Sequence, residues 1–166
     1  MLDNTTIVAL ATPEGEGGLA VVRISGPDAL PIAHRLFRRR VMGPDTESHR
    51  AVYGILFSPS EDEENDYAVD EVLALPLLGP RSYTGEDTVE IFCHGGRMAA
   101  RQVVTACRKA GCEPAAPGEF TRRAFLNGRI SLDQAEAVAD LIGAENEAAA
   151  QAAVRQLLGG LDGQLR

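Results

Sequence analysis

TVEIFCHGGRMAARQVVTACRKAG, residues 88–111, changes its hydrophobic period partway along. From Thr88 to Cys93 the pattern alternates, which puts Val89, Ile91 and Cys93 on one face of a strand and Glu90 and Phe92 on the other. His94, Gly95 and Gly96 form a turn. Beyond it Ala99, Val103, Ala106 and Ala110 recur at helical spacing, and Gly111 stands where a helix would stop. A strand that feeds a helix through two glycines is one unit of a sheet with a helix laid against it.

Working outward, AVYGILFS (51–58) and DYAVDEVLALPLL (66–78) alternate well enough for two strands, joined as a hairpin through an acidic loop. Further upstream, TTIVALA (5–11) and LAVVRIS (19–25) flank PEGEGG and read as strands connected by a glycine-rich loop. Pro27 and Asp28 open a helix with Leu30, Ala33, Leu36 and Phe37 on one face. Arg38, Arg39 and Arg40 close it, complementing the negative end of its dipole. CEPAAP (112–117) returns to the sheet. Strands and helices do not alternate regularly, so the expected class is α+β, a mixed β-sheet with flanking helices, rather than a doubly wound parallel sheet.

The character changes at Gly118. Glu119 to Leu126 reads as a short helix ended by Asn127 and Gly128, and Ser131 with Gln134 makes a capping box for the next helix. That helix is expected to run to Leu158, about 40 Å at 1.5 Å per residue. Nine of its residues are alanine, which suits close packing against other helices, yet none remains in the chain to supply them. The expectation is a truncated piece, or a helix that docks on a partner. Residues 1–117 would then form one domain and 118–166 the beginning of a truncated helical domain.

At 166 residues, 45% hydrophobic and 24% charged, the chain has globular composition, and no apolar run approaches the ~20 residues of a bilayer span. MLDNTTIVAL lacks the parts of a secretory leader, so a cytoplasmic location is expected. Cys93, Cys107 and Cys112 cannot pair completely and show no CxxC spacing, so they are expected as reduced thiols without a metal. Net charge is −8, falling to −3 without the five acids of EDEENDY (61–67). That acidity weighs against nucleic acid as the main ligand of this chain.

Few residues offer chemistry. No GxxxxGK[ST] stretch is present, and the glycines of PEGEGG serve either a tight connection or a loop whose bare backbone approaches a flat ligand. Glu90 is either solvent-facing or, beside Phe92, an acceptor for adjacent N–H donors of a heterocycle. His94 has no nearby acid or second histidine in sequence and is expected to be structural. SYTGED (82–87) is a weak signal by itself. His34 and His49 have no nucleophile to pair with. In PGEFTRRAFLNGR (117–129), Phe120 and Phe125 facing inward with arginines outward competes with an anion-binding role for Arg122, Arg123 and Arg129.

Together, TIVALATPEGEGGLAVVRISG, SYTGEDTVEIFCHGG and PGEFTRRAFLNGRISLDQAEAVADLI closely resemble the amino-terminal part of the MnmE (TrmE) family of tRNA-modifying GTPases, over nearly the whole chain. The resemblance implies an α+β, aminomethyltransferase-like fold that binds 5-formyl- or 5,10-methylene-tetrahydrofolate as one-carbon donor and forms a homodimer. It further implies modification of C5 of the tRNA wobble uridine together with a flavin-dependent partner, MnmG (GidA). GTP, magnesium and potassium belong to a GTPase domain absent from these residues, so the fragment alone is expected not to be catalytic. Carried over position by position, the folate-site candidates are Arg23 of VVRISG, Glu90 of TGEDTVE and Arg129 of FLNGRISL, the last more often lysine in relatives. Glu90 would accept the pterin ring N–H and amino group in fork fashion, while Arg23 and Arg129 hold carbonyl or tail carboxylate oxygens. Arg122 and Arg123 are expected to be surface or interface groups. Two rival readings are a stand-alone folate-dependent aminomethyl transferase and a dimerisation domain with a vestigial ligand site.

Overall fold

The structure, a computed structural model, describes residues 4–37, 46–60 and 65–159. β1 (Ile7–Leu10) and β2 (Leu19–Ser25) pair antiparallel on either side of the glycine-rich loop, Ile7 opposite Ser25. After α1 (Ala29–Leu36) come β3 (Val52–Ser58), β4 (Tyr67–Leu77) and β5 (Thr88–His94). α2 (Arg97–Lys109) leads into the short β6 (Glu113–Pro114), and α3 (Glu119–Leu126), α4 (Leu132–Ile142) and α5 (Glu147–Gly159) follow. The strand order is β3-β4-β5-β2-β1-β6, antiparallel throughout except for the β1–β6 pair. The class is α+β with a mixed sheet, as the irregular order of strands and helices implied. Arg38, Arg39, Arg40 and the acids Glu61–Glu64 lie outside the described residues.

Strand alternation decides which face is covered. Val22 and Ile24 of β2, Val89 and Ile91 of β5, Leu56 of β3 and Ala74 of β4 are fully buried in one cluster with Leu36 of α1 and Val103 of α2. Burying each large aliphatic side chain contributes roughly 1.5–3 kcal/mol, so this layer holds the two helices to the sheet. The buried stripe of α2 is Ala100, Val103, Ala106 and Cys107, while Ala99, expected in the stripe, is half-buried. On α1 it is Ala29, Ile32, Ala33 and Leu36, with Leu30 at the margin. Between β5 and α2, Gly95 is needed for close approach, since a Cβ there would run into the carbonyl oxygen of Gly17. The Gly17 N–H donates to the Gly95 carbonyl at 3.2 Å, tying the glycine-rich loop to the sheet end.

The opposite face lacks a layer from α1 or α2. Tyr53, Leu73, Phe92 and Val21 form an apolar row across β3, β4, β5 and β2, with Tyr53 and Leu73 well exposed. Arg23 and Glu90 lie on this same face, two residues along.

The long helix expected from Ser131 to Leu158 is not continuous. α4 ends at Gly143, and Asn146 starts α5 by accepting the Ala149 N–H on its side-chain oxygen at 2.9 Å. α5 then doubles back on α4: Gln134 Nε2 donates to the Leu157 carbonyl at 2.8 Å and Gln156 Nε2 to the Asp133 carbonyl at 3.0 Å. Ala137 and Ala153 are buried on the two helices, so part of the alanine content is explained by a partner within the chain. A glycine stop followed by an asparagine cap outweighs the helix-forming residues on both sides. The capping box at Ser131 and Gln134 forms as expected, with both reciprocal bonds present.

Candidate functional site

Arg23 and Glu90 are direct cross-strand partners on β2 and β5. The guanidinium donates through Nη2 at 2.7 Å and Nε at 3.0 Å to one carboxylate oxygen, Oε1. Among the described residues no hydrogen bond engages Oε2, so half of the carboxylate is available as an acceptor. The Arg23 guanidinium carbon lies 5.1 Å from the Tyr83 ring centroid and 5.4 Å from that of Phe120, within cation–π range of both. Tyr83 belongs to the turn before β5 and Phe120 to α3, and the Tyr83 hydroxyl meets Thr121 Oγ1 at 2.9 Å. Three separate parts of the chain therefore converge on Arg23.

Arg129 reaches this neighbourhood from α3. That helix ends at Asn127, Gly128 takes a left-handed φ of 69°, and the Arg129 N–H donates back to the Ala124 carbonyl at 2.8 Å. The reversal aims the side chain at the turn before β5, where Nε donates to the Ser82 carbonyl at 3.3 Å. Arg129 and Tyr83 share the wall of an open hollow of about 490 Å³. Of the three candidates, Arg23 and Glu90 touch, whereas Arg129 adjoins them through Ser82 and Tyr83.

The expectation for Arg123 is corrected: it is no surface group, its side chain being 4% exposed. Nη1 donates to the Thr5 carbonyl at 2.8 Å and lies 3.2 Å from Glu86 Oε2, while Nη2 bonds Glu119 Oε1 at 3.0 Å and Thr5 Oγ1 at 3.1 Å. Glu86 also accepts from Ser25 Oγ at 2.8 Å. The weak SYTGED signal thus contains a carboxylate that joins α3 to the end of β2. Burial pushes the Glu119 carboxyl upward, but the Ala116 N–H and the Arg123 and Arg122 guanidinium groups outweigh it and hold it below its ordinary value. The Glu119–Arg123 spacing of four residues was visible in the sequence. Arg122, three residues from Glu119, is also within helical reach of it, so that spacing alone did not tell buried Arg123 from exposed Arg122. Phe125, expected inward, is 40% exposed, and Ala124 takes the buried place.

His94, read as lacking an acid, meets one from β4. Its Nδ1 is 2.7 Å from Asp70 Oδ1, and its backbone N–H donates to Asp70 Oδ2 at 2.8 Å. Burial raises the Asp70 carboxyl, yet these bonds and the Glu71 N–H bring it below its usual value. The bonds fasten the end of β5 to Asp70 within β4, which agrees with a structural role. Cys93, Cys107 and Cys112 are free and buried, as expected for reduced thiols. Burial pushes Cys93 to about 11 and Cys112 to about 12, and Cys107 is raised as well. Among the described residues no cluster of His, Cys, Asp or Glu could hold a metal ion, and no helix is long and apolar enough to cross a membrane. The glycine-rich loop lines a second hollow, of about 370 Å³, against Arg97 and Arg101 of α2.

Comparison with known proteins gives one consistent result. Residues 6–129 match the family model described as "GTP-binding protein TrmE N-terminus". Over 162 residues the chain is 53% identical to the tRNA modification GTPase MnmE of Symbiobacterium thermophilum, covering 96% of this chain and 34% of that protein. The protein of the same name from Geobacter sulfurreducens is 52% identical over 165 residues, with 99% and 35% covered. That from Synechococcus elongatus is 47% identical over 164 residues, with 99% and 34% covered. The chain spans about a third of the length of the curated relatives it matches.

Proposed function

Because the chain belongs to the TrmE amino-terminal family, we propose that it is the tetrahydrofolate-binding, homodimerising module of a GTPase that modifies C5 of the tRNA wobble uridine. The one-carbon unit comes from 5-formyl- or 5,10-methylene-tetrahydrofolate, held by Arg23, Glu90 and Arg129. The GTPase chemistry, with its magnesium and potassium, and the contact with the flavin-dependent MnmG partner belong to the larger cytoplasmic protein. Residues 1–117 form the folate and dimer unit, and residues 118–166 begin the helical domain.

One observation carries this reading: the Arg23–Glu90 pair on the sheet face away from α1 and α2, flanked by Tyr83 and Phe120. A pterin presents a ring N–H and an amino group side by side, a donor pair that a carboxylate accepts in parallel. Glu90 has one oxygen open, and release of the other by a small movement of Arg23 completes the acceptor. The guanidinium then serves the carbonyl side of the ring, and the aromatic groups give it apolar walls. The apolar row of Tyr53, Leu73, Phe92 and Val21, with Tyr53 and Leu73 exposed, supports homodimerisation as the surface that a second copy of the chain would cover.

Calorimetric titration of the chain with 5-formyl-tetrahydrofolate tests the site. Saturable binding that is lost in Glu90→Ala is the expected result. Absence of binding by a sample that sedimentation shows to be dimeric would overturn it.

A further inference from the structure

The hollow beside Tyr83 has a composition at odds with the rest of the chain. Acidic residues outnumber basic ones by 24 to 16 overall, yet the wall of this hollow carries Arg81, Arg129 and the His49 imidazole and no carboxylate. Leu77, Pro80 and Tyr83 supply its apolar part. Among the described residues, no hydrogen bond or ion pair engages the Arg81 guanidinium, and Arg129 uses only Nε, toward the Ser82 carbonyl. Two guanidinium groups thus keep their terminal donors open at one rim.

The setting is held in place by the backbone. His49 adopts φ of 65°, a left-handed conformation uncommon for a side-chain-bearing residue. Its N–H donates to the Pro76 carbonyl at 2.8 Å, and the neighbouring Ser48 hydroxyl accepts the Leu78 N–H at 3.0 Å. The segment is thereby fixed to the end of β4.

Position relative to the ring site follows from the strand register. Leu75 is the β4 neighbour of Glu90, and Leu77 is the neighbour of Thr88. Two residues of strand separate them, about 6.7 Å, on the same face of the sheet. A flat ring seated at Glu90 beside Tyr83 therefore points any tail laid along β4 into the hollow, where carboxylates meet Arg81 and Arg129.

We propose that this hollow is the subsite for a chain of carboxylates carried by the ligand, the oligo-γ-glutamyl tail of a folate, with Arg81 its discriminating residue. The proposal rests on the folate reading of Arg23 and Glu90, and it adds a preference for tail length. Arginine suits the task because its fork of N–H groups donates in parallel to the two oxygens of a carboxylate, while the open rim imposes no fixed end to the chain. A partly exposed pair contributes modestly, so each additional carboxylate raises affinity by a few-fold.

The test compares 5-formyl-tetrahydrofolate bearing one and three glutamates, titrated calorimetrically into the unaltered chain and into Arg81→Gln, at low and high salt. The expected result is about three- to tenfold tighter binding of the triglutamate form. That ratio should shrink in Arg81→Gln and with rising ionic strength. Equal affinity for both forms in the unaltered chain would overturn the subsite and leave the ring site standing. A ratio undiminished in Arg81→Gln would remove Arg81 from it. Failure of both forms to bind a dimeric sample would overturn the ring site and the subsite together.

Discussion

The Arg123 guanidinium on α3 donates to the carbonyl oxygen of Thr5 at 2.8 Å, across 118 positions of sequence. Thr5 lies two residues before Ile7, where the strand that opens the fold begins, and Arg123 sits on the helix that carries Phe120 and leads to Arg129. This contact, with Glu86 and Glu119 around the same guanidinium, sets where α3 lies against the sheet.

Arg123→Met should therefore destabilise the chain by about 3 kcal/mol, because it leaves two partly buried carboxylates without their countercharge. Urea denaturation followed by circular dichroism measures this. A change below about 1 kcal/mol would show that the network is dispensable.

The same network predicts acid sensitivity. Glu119 has its folded-state value lowered from the ordinary 4.5, so it favours the folded state fully above that value and loses the contribution as pH falls through the lowered one. Melting temperatures measured between pH 6 and pH 3 should fall less steeply in Glu119→Gln than in the unaltered chain. Parallel curves would contradict the assignment.

Gly95→Ala places a methyl group against the backbone of Gly17 and Leu19, where no side-chain rotation relieves it. The glycine-rich loop must move, at a cost of about 1–3 kcal/mol. Gly96→Ala, whose added Cβ meets nothing within 4 Å, is the matched control and should cost much less.

Ser131→Ala removes the acceptor for the Gln134 N–H, 3.2 Å away, at the start of α4. A loss of about 1 kcal/mol is expected in denaturant titration. Hydrogen exchange should quicken at the first turn of α4 more than in the sheet.

The three thiols should be inert to Ellman's reagent at pH 8 in the folded chain, since burial leaves little thiolate at Cys93, near 11, or Cys112, near 12. All three should react in denaturant. Rapid labelling without denaturant would show that the core around α2 opens.

Much of the fold was legible because its signals are local. Alternation at Val89, Ile91 and Cys93 marks a buried face whatever lies across from it, and the Gly95-Gly96 turn and the Ser131–Gln134 box declare their geometry within a few residues. The break between α4 and α5 was also present, in Gly143 and Asn146, but the alanines around it read as one helix. For Ala137 and Ala153 the packing partner proved to be the other helix of the same chain.

Sequence by itself determined the strands, the capping box at Ser131 and Gln134, the shared strand face of Val89, Ile91 and Cys93, and the likeness of three blocks that singled out Arg23, Glu90 and Arg129. Tertiary structure alone decided that Arg23 bonds Glu90 between two aromatic rings, that Asp70 meets His94, and that Arg123 is buried while Arg122 is exposed. Periodicity and capping depend on neighbours a few residues away. The fate of a guanidinium depends on which distant carboxylates and carbonyls the packed sheet and α3 bring within 3 Å of it, and adjacent arginines of identical chemistry differ only in the direction the docked helix gives them.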